Sequence, residues 1–255
     1  MKYKLIDETM TTESGVLLHR IECVESFGSV KAGDIGGWIE KEENLSQFCC
    51  CWVYFDACVY GNACVYDNAC VYNSAEVFGN ARVYDNALVS DNARVSENAC
   101  VSNNAWVSDN ARVSDNALVS DNARVSENAC VSNNAWVSGN ASVSGNARVS
   151  DNARVSENAC VSDNAEVFGN ARVFGNAMVF GNAVICNIND YIVFKNNWSS
   201  GRYFTWTRSN DKWKVGCFYG TGKDLIEKAY KDSKLSGDCY KAYVELVEKL
   251  KELQK

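Results

Sequence analysis

The sequence predicts a mainly β protein whose central part is a parallel β-helix, and three observations support this prediction. Valine occupies every sixth position from Val53 to Val179, which is 22 times without a gap. Alanine occupies the position four later, from Ala57 to Ala183, with the same regularity. The 255 residues include no proline, where average usage would give about thirteen. Because proline removes a ladder donor, its absence fits a stack in which every strand is paired on both sides.

Each hexad predicts one short strand and one corner. In Ala-x-Val, the alternation of a strand points Ala and Val inward and the variable residue outward. Asparagine precedes the Ala in all hexads except those with Asp56 and Ser74. The residue before that is most often Gly, Asp, Glu or Asn, which is turn chemistry. Three hexads close one coil, so residues 53–184 predict about seven coils stacked over about 35 Å.

Steps of one coil, which is three hexads, sort the outward side chains into three faces. The first face carries Cys58, Glu76, Arg94, Arg112, Cys130, Arg148, Glu166 and Val184. The second face carries Cys64, Arg82, Cys100, Leu118, Trp136, Arg154 and Arg172. The third face carries Cys70, Leu88, Trp106, Arg124, Ser142, Cys160 and Met178. A longer repeat lies over the hexads, because residues 89–106 recur at 119–136. Its step of five hexads is not a multiple of three, so each copy starts on a different face.

Two apolar strips are predicted in the middle of the rod. Leu88 and Trp106 are coil neighbours on the third face, and Cys100, Leu118 and Trp136 are coil neighbours on the second. Exposed Trp in a contiguous apolar patch marks an interface. The candidate interface residues are therefore Leu88, Trp106, Leu118, Trp136, Arg94 and Arg112, for a protein partner or for self-association as a trimer or dimer. The alternative is that each Trp lies flat across its coil neighbours, or was copied by duplication without a role.

Composition excludes several classes of function. A net charge of −7 argues against direct nucleic-acid binding, which needs a basic surface. No apolar run approaches the length of a membrane span. The chain starts without a secretory apolar segment and has an odd 13 cysteines, which predicts the cytoplasm, and the host cell cytoplasm if the protein is phage-encoded. No metal site is expected, because Cys58, Cys64 and Cys70 point from three different faces.

Two flanking segments complete the predicted organisation. Residues 1–52 form a small β-rich N-terminal cap, in which Gly33, Gly36 and Gly37 are interpreted as turn glycines. Residues 53–190 form the β-helix. Residues 191–255 form an α+β C-terminal module, with a hairpin or small sheet followed by two helices that separate near Ser236 and Gly237.

The motifs resemble a known family. The hexads match the pattern [LIV]-[GAED]-x-x-[STAV]-x of hexapeptide-repeat proteins, and this resemblance implies a single-stranded left-handed parallel β-helix. The N-terminal segment VKAGDIGGW, followed by NLSQ and CCCWVY, is similar to the N-terminal module of phage and prophage hexapeptide-repeat proteins. Such proteins are often labelled acyltransferases without demonstrated activity. The segment WSSGRYFTWTR…VGCFYGTGKDL resembles a phage-type C-terminal module.

The functional interpretation depends on the single histidine of the chain. Acyltransferases with this fold typically use a His in or beside the coils, whereas the one His here, His19, lies in the N-terminal flank. We therefore expect no catalytic residue and no cofactor. The interpretation is a non-catalytic phage accessory protein that acts as a rigid, acidic protein-interaction scaffold. Anti-defence binding of a host immune or nucleic-acid-processing protein is a hypothesis within it. An acyltransferase that uses acyl-CoA and a virion structural protein remain the alternatives.

Overall fold

Two-residue strands, one per hexad, build the central rod in the computed structural model, which describes residues 1–254. These strands are Trp52–Val53, Cys58–Val59, Cys64–Val65, Cys70–Val71, Glu76–Val77, Arg82–Val83, Leu88–Val89, Arg94–Val95, Cys100–Val101, Trp106–Val107, Arg112–Val113, Leu118–Val119, Arg124–Val125, Cys130–Val131, Trp136–Val137, Ser142–Val143, Arg148–Val149, Arg154–Val155, Cys160–Val161, Glu166–Val167, Arg172–Val173, Met178–Val179 and Val184–Ile185. The predicted strand in every hexad is confirmed.

Each strand inside the rod pairs in parallel with the strands one coil before and one coil after it, and the strands form three sheets. The predicted parallel β-solenoid is thereby confirmed. About eight turns are present, one more than the coils predicted for residues 53–184, because the N-terminal flank contributes a turn. Strand β3 (Ile35–Ile39) pairs in parallel with Cys58–Val59, and Leu45 bridges to Val65. The hydrogen-bonded ladder therefore begins within residues 1–52.

Valine and alanine columns fill the rod. Each repeat Val and Ala between Val53 and Ala183 is at most 1% exposed. Val stacks directly on Val in the next coil, as Val95 does on Val113. The predicted inward and outward alternation is thus confirmed, and between Val53 and Ala183 the inward positions are all Val or Ala.

The corner residues adopt left-handed backbone, and many are acidic. Asp67 has a φ of 56° and Glu97 a φ of 58°. The corner carboxylates also have a bonding role: the backbone N–H of Asn103 donates to Asp85, and that of Gly139 donates to Asp121. A corner carboxylate thus accepts from an N–H group one coil later.

Asparagine side chains form ladders along the corners. The Nδ2 of one Asn donates to the Oδ1 of the Asn one coil later, over 3.0–3.4 Å. One such ladder runs through Asn62, Asn80, Asn98, Asn116, Asn134, Asn152 and Asn170. Two further ladders start at Asn68 and Asn92. The Asn that the sequence assigns only to turn chemistry therefore also binds successive coils together.

The N-terminal cap extends the first sheet with antiparallel strands. Strand β1 (Tyr3–Thr11) pairs with β2 (Leu17–Cys23), which pairs with β3, and a 3₁₀-helix spans Glu42–Asn44. Gly33 lies in a turn with φ of 91°, as predicted. The turn assignment is wrong for Gly36 and Gly37, which lie inside β3. A Cβ on Gly37 would lie 2.5 Å from the carbonyl oxygen of Ala57, so close packing requires glycine there.

The C-terminal module is a four-stranded antiparallel sheet with two helices. After a 3₁₀-helix at Ile188–Asp190, its strands are Tyr191–Lys195, Tyr203–Thr207, Lys212–Val215 and Phe218–Gly220. Helix α1 is Gly222–Asp232 and helix α2 is Lys234–Leu253. The module core contains Phe204, Trp206, Trp213, Leu225, Ala229, Tyr240 and Val247.

The helix break lies at Ser233 rather than at the predicted Ser236 and Gly237. The Ser233 side chain caps α2 by accepting from the N–H of Ser236 at 3.0 Å. Gly237 lies inside α2, where a Cβ would clash with the Tyr230 ring. Gly237 therefore serves helix packing and not helix termination.

The module also covers the last coil of the rod. The N–H of Met178 donates to the Thr205 hydroxyl at 2.8 Å, and that of Val184 to the Ser209 hydroxyl at 2.7 Å. Ladder donors at the end of the solenoid are thereby satisfied, which protects an open strand edge. Within residues 1–254, neither helix has the length and apolar character needed to cross a bilayer.

Candidate functional site

Two equivalent trios of side chains occupy successive rungs in the middle of the rod. On the third face, Leu88 pairs with Trp106 and Trp106 with Arg124. On the second face, Leu118 pairs with Trp136 and Trp136 with Arg154. We call Leu88, Trp106 and Arg124 the first cassette, and Leu118, Trp136 and Arg154 the second. Equivalent positions of the two cassettes are five hexads apart, which is the step of the long repeat. Because five is not a multiple of three, the second cassette lies on the second face and not on the third.

Both indole rings are held by the same contacts. Trp106 Nε1 donates to Ser90 Oγ at 3.2 Å, and Trp136 Nε1 donates to Ser120 Oγ at 3.2 Å. Each serine belongs to the preceding coil, so each ring points back towards that coil. The Arg of the following coil covers the other side of the ring, with its Cζ 5.5 Å from the Trp106 centroid and 5.2 Å from the Trp136 centroid.

These contacts leave each indole half-exposed in a defined orientation. Trp106 is 39% exposed and Trp136 is 37% exposed. Part of each ring packs on its coil neighbours, as the alternative interpretation expected, and the remainder forms surface. An aromatic side chain that is already ordered loses less conformational entropy when a partner covers it.

The six residues predicted for the interface are distributed over three faces. Leu88 with Trp106 and Leu118 with Trp136 are neighbours as predicted. Arg94 and Arg112 pair with each other on the first face, apart from both tryptophans. Their roles at an interface stay a prediction.

Arg94 already has partners. Its guanidinium lies 3.2 Å from Glu76 and over the Phe78 ring, with 5.1 Å between Cζ and the ring centroid. Glu76 also accepts a hydrogen bond of 3.1 Å from the Tyr60 hydroxyl. Tyr60, Glu76 and Arg94 line a cavity of about 300 Å³ beneath the β1–β2 hairpin. Arg94 therefore contributes to packing of the cap on the first face.

The arginine of each cassette is not among the interface residues that the sequence predicts. Arg124 and Arg154 follow the two tryptophans by one coil and occupy the same place in the long repeat. That spacing was visible in the sequence and places each Arg on the next rung. Neither Arg has a carboxylate partner within residues 1–254.

Charge is segregated on the rod. All seven arginines between 53 and 184 lie on the faces. Acidic residues with left-handed φ lie at the corners, namely Asp67, Asp85, Asp91, Glu97, Asp109, Asp115, Asp121, Glu127, Asp151, Glu157 and Asp163. Although the net charge of the chain is negative, Arg124 and Arg154 place positive charge beside the Leu and Trp side chains of the two cassettes.

His19 lies on the opposite side of its sheet from the outward columns. It pairs with Ile39, and Ile39 pairs with Val59. Paired residues point to the same side of a sheet, and both Ile39 and Val59 are 0% exposed in the core. By this register, His19 lies on the side of β2 that continues the inward column of the first sheet, and it is half-buried. Among residues 1–254, no three His, Cys, Asp or Glu side chains are grouped to hold a metal ion.

Comparisons with known proteins agree with the repeat. The family model of the YdcK β-solenoid repeat matches residues 81–97, 105–121, 111–127, 141–157, 147–163 and 171–187. A similar protein, the uncharacterized acetyltransferase YdcK of Escherichia coli (strain K12), is 38% identical over 60 residues. This match covers 21% of the chain and 18% of the relative's length. Together with the fold, these similarities support a β-solenoid that is built from hexapeptide repeats.

Proposed function

We propose that this protein is a non-catalytic scaffold that binds a protein partner through the two cassettes. The observation that carries the proposal is the fixed, half-exposed indole of Trp106, repeated at Trp136 with the same hydrogen bond and the same Arg contact. Tryptophan and arginine dominate binding hot spots, which need ordered aromatic surface next to a polar rim.

The chemistry of the cassettes specifies the partner. Each cassette presents an apolar surface, formed by Leu and Trp, beside an Arg that has no carboxylate partner within residues 1–254. A complementary segment therefore carries an apolar side chain next to Asp or Glu. The acidic corners on either side of a face repel acidic segments that approach off-centre, which favours binding in register with the cassette.

Two cassettes offer two contacts to one partner. They are related by a rotation from one face to the adjacent face and a rise of about 8 Å, which is five strands at one third of a coil each. A partner with two suitable segments gains avidity when both engage, because the second binding event is intramolecular. Two copies of this chain are the competing occupants of the same surface.

An acyltransferase is the second candidate, favoured by the name of the E. coli relative. The location of His19 on the inward side of the cap sheet supports the non-catalytic proposal instead. Isothermal titration with acetyl-CoA separates the two candidates. Saturable binding with turnover of an acceptor amine or hydroxyl would favour the enzyme.

Site-specific photo-crosslinking tests the scaffold. The photoreactive residue p-benzoylphenylalanine replaces Trp106 or Trp136, and in matched controls it replaces Ser142 or Met178 on the third face. We expect discrete adducts with one other protein from the cassette positions and none from the controls, with the linked segments rich in Asp, Glu and apolar residues. Adducts to this chain alone would show self-association, and equal adducts from all four positions would overturn the cassette assignment.

Phage origin and anti-defence action are finer proposals that rest on the resemblance of the VKAGDIGGW segment. A scaffold of this kind would act by binding a host immune or nucleic-acid-processing protein and occluding its functional site. Expressed in cells that carry phage defences, the protein should then raise phage plating efficiency, and the Trp106→Ala/Trp136→Ala variant should not. A structural role in virions predicts instead that the protein co-purifies with particles.

A further inference from the structure

A cleft of about 460 Å³ opens within the C-terminal module. Its walls come from the loop at 196–202, the turn at 215–218, one side of α1 and the start of α2. This volume lies within the range of small-molecule sites, about 300–1,000 Å³. The proposed scaffold function uses only the rod, so the cleft has no assigned role.

Helix α1 presents one stripe of four residues to the cleft. Leu225, Lys228, Ala229 and Asp232 are three, four and seven positions apart, which places them on the same side of the helix. Leu225 and Ala229 are buried and form an apolar wall, whereas Lys228 and Asp232 lie at the rim.

Asn196 shapes the opposite wall. It is 5% exposed, and its backbone N–H donates to the carbonyl oxygen of Arg202 at 2.7 Å. Its Oδ1 accepts from the N–H of Ser199 at 2.9 Å, which closes the loop at 196–202. Its Nδ2 donates to the Tyr240 hydroxyl at 3.2 Å. This one buried amide therefore ties the loop to α2 and orients the phenol.

Tyr240 keeps an unused donor in the cleft. The side chain lines the cavity and is 7% exposed. Its oxygen accepts from Asn196, yet its own O–H has no acceptor within residues 1–254. Burial raises the pKa of Tyr240, so the phenol stays protonated near neutral pH. Because Tyr240 lines the cleft, its hydroxyl is available to donate to an acceptor on a bound ligand.

The cleft contains more donors than acceptors. Arg202 and Lys228 have no ion-pair partner in the described chain, and Asp232 is the one carboxylate among the lining residues. Hydroxyls are added by Ser199, Ser200 and Ser236. Phe218 supplies an aromatic wall, with Lys228 Nζ 5.6 Å from its ring centroid. The arrangement suits a ligand with an anionic end that accepts several hydrogen bonds and an apolar or planar body.

We propose that this cleft binds a small-molecule phosphate monoester of mononucleotide size. The phosphate oxygens accept from Arg202, Lys228 and the Tyr240 hydroxyl, and the body of the ligand packs on Phe218 and Leu225. Asp232 accepts from a hydroxyl or amino group of the ligand. The proposal is independent of the scaffold function.

Isothermal titration of the full chain with adenosine 5′-monophosphate tests the proposal. We expect saturable binding with one site per chain, weakened about tenfold by Lys228→Gln or Arg202→Gln and by a similar factor by Tyr240→Phe. The matched control is Lys231→Gln, which removes a charge from α1 outside the cleft and should leave the affinity unchanged. Thermal unfolding of each variant shows whether the module remains folded, and Tyr240→Phe keeps the buried ring.

Competition experiments identify the recognised group. Inorganic phosphate should displace the nucleotide, and adenosine should compete much more weakly. Adenosine that competes equally well would overturn the phosphate assignment. A phosphoserine peptide that binds more tightly than the nucleotide would show a peptide site instead. Absence of binding by every probe, or binding unchanged in Lys228→Gln and Tyr240→Phe, would overturn the proposal, and none of these outcomes affects the test of the cassettes.

Discussion

Trp106 and Ser90 are joined across one coil by a hydrogen bond of 3.2 Å from the indole Nε1 to the serine Oγ. Ser90 is buried and donates in turn to the Asp91 carboxylate at 2.8 Å. The corner, the serine and the indole thus form one chain of hydrogen bonds. The same indole-to-serine bond joins Trp136 to Ser120.

We predict that Ser90→Ala or Ser120→Ala loosens the neighbouring indole. Loss of the acceptor leaves a partly buried N–H without a partner and lowers the free energy of unfolding by about 1 kcal/mol. Acrylamide quenching of Trp fluorescence should increase in each variant, and the two effects should add, because the sites share no contact. Ser144→Ala, at the equivalent hexad position without a Trp partner, is the control. Unchanged quenching in both variants would contradict the structural role of the bond.

The asparagine ladders should contribute to the stability of the rod. Asn116 donates to Asn134 and accepts from Asn98, so Asn116→Ala removes two bonds. Because these groups are exposed, we expect a loss of about 1 kcal/mol in urea denaturation. Asn182→Ala at a ladder end removes one bond and should lose about half as much. An equal effect from both positions would argue against the ladders.

The same logic predicts a stabilising substitution. Ser74 occupies a position that is Asn in most hexads. It lies one coil before Asn92, which is the first member of its ladder. Ser74→Asn should extend that ladder by one bond and raise the free energy of unfolding by about 0.5 kcal/mol. Ser74→Ala is the comparison, and it should not stabilise. A shift in the urea midpoint checks both variants.

Proline should be poorly tolerated wherever the ladder needs a donor. The N–H of Ser132 donates to the carbonyl oxygen of Val149 at 3.0 Å. Ser132→Pro removes this donor and leaves a carbonyl without its partner, which lowers stability by about 1–3 kcal/mol before any steric effect. Ser132→Ala keeps the N–H and should be nearly neutral. Equal melting temperatures for the two variants would show that the missing proline has another cause.

Alkaline pH should destabilise the junction between the cap and the first face. Burial, with a further contribution from the Glu76 carboxylate, raises the pKa of the Cys58 thiol from 9.0 to about 12. The unfolded chain releases this proton near pH 9 and the native chain holds it to about pH 12. The native state therefore binds more protons in this window, and its stability falls as pH rises.

Urea denaturation between pH 7 and pH 11 measures this effect. Cys58→Ala should flatten the decline between pH 9 and pH 11, because the variant has no thiol here whose pKa differs between the folded and unfolded chains. Glu76→Gln should flatten it partly, because the remaining burial still raises the pKa of Cys58. The same pH slope in all three proteins would contradict the assignment.

Much of the rod could be predicted because one regular pattern repeats throughout it. The alternation of Ala and Val determines the inward side, and steps of one coil place Leu88 beside Trp106 and Leu118 beside Trp136, as the strand register confirms. The flanks lack a repeat, and their details were less predictable. Gly36 and Gly37 appeared to be turn residues, although neighbouring atoms, and not a turn, require glycine there.

The sequence by itself determined the solenoid, its three faces and which residues point outward. A period of six with strand alternation has one arrangement that buries every repeat Val and Ala. Only the tertiary structure decided how the outward groups meet. The Trp–Ser bonds, the Arg contacts and the Asn ladders join residues on neighbouring coils, and they depend on side-chain rotamers that a pattern does not specify. The cleft around Tyr240 likewise exists only because a loop, a turn and two helices converge on it.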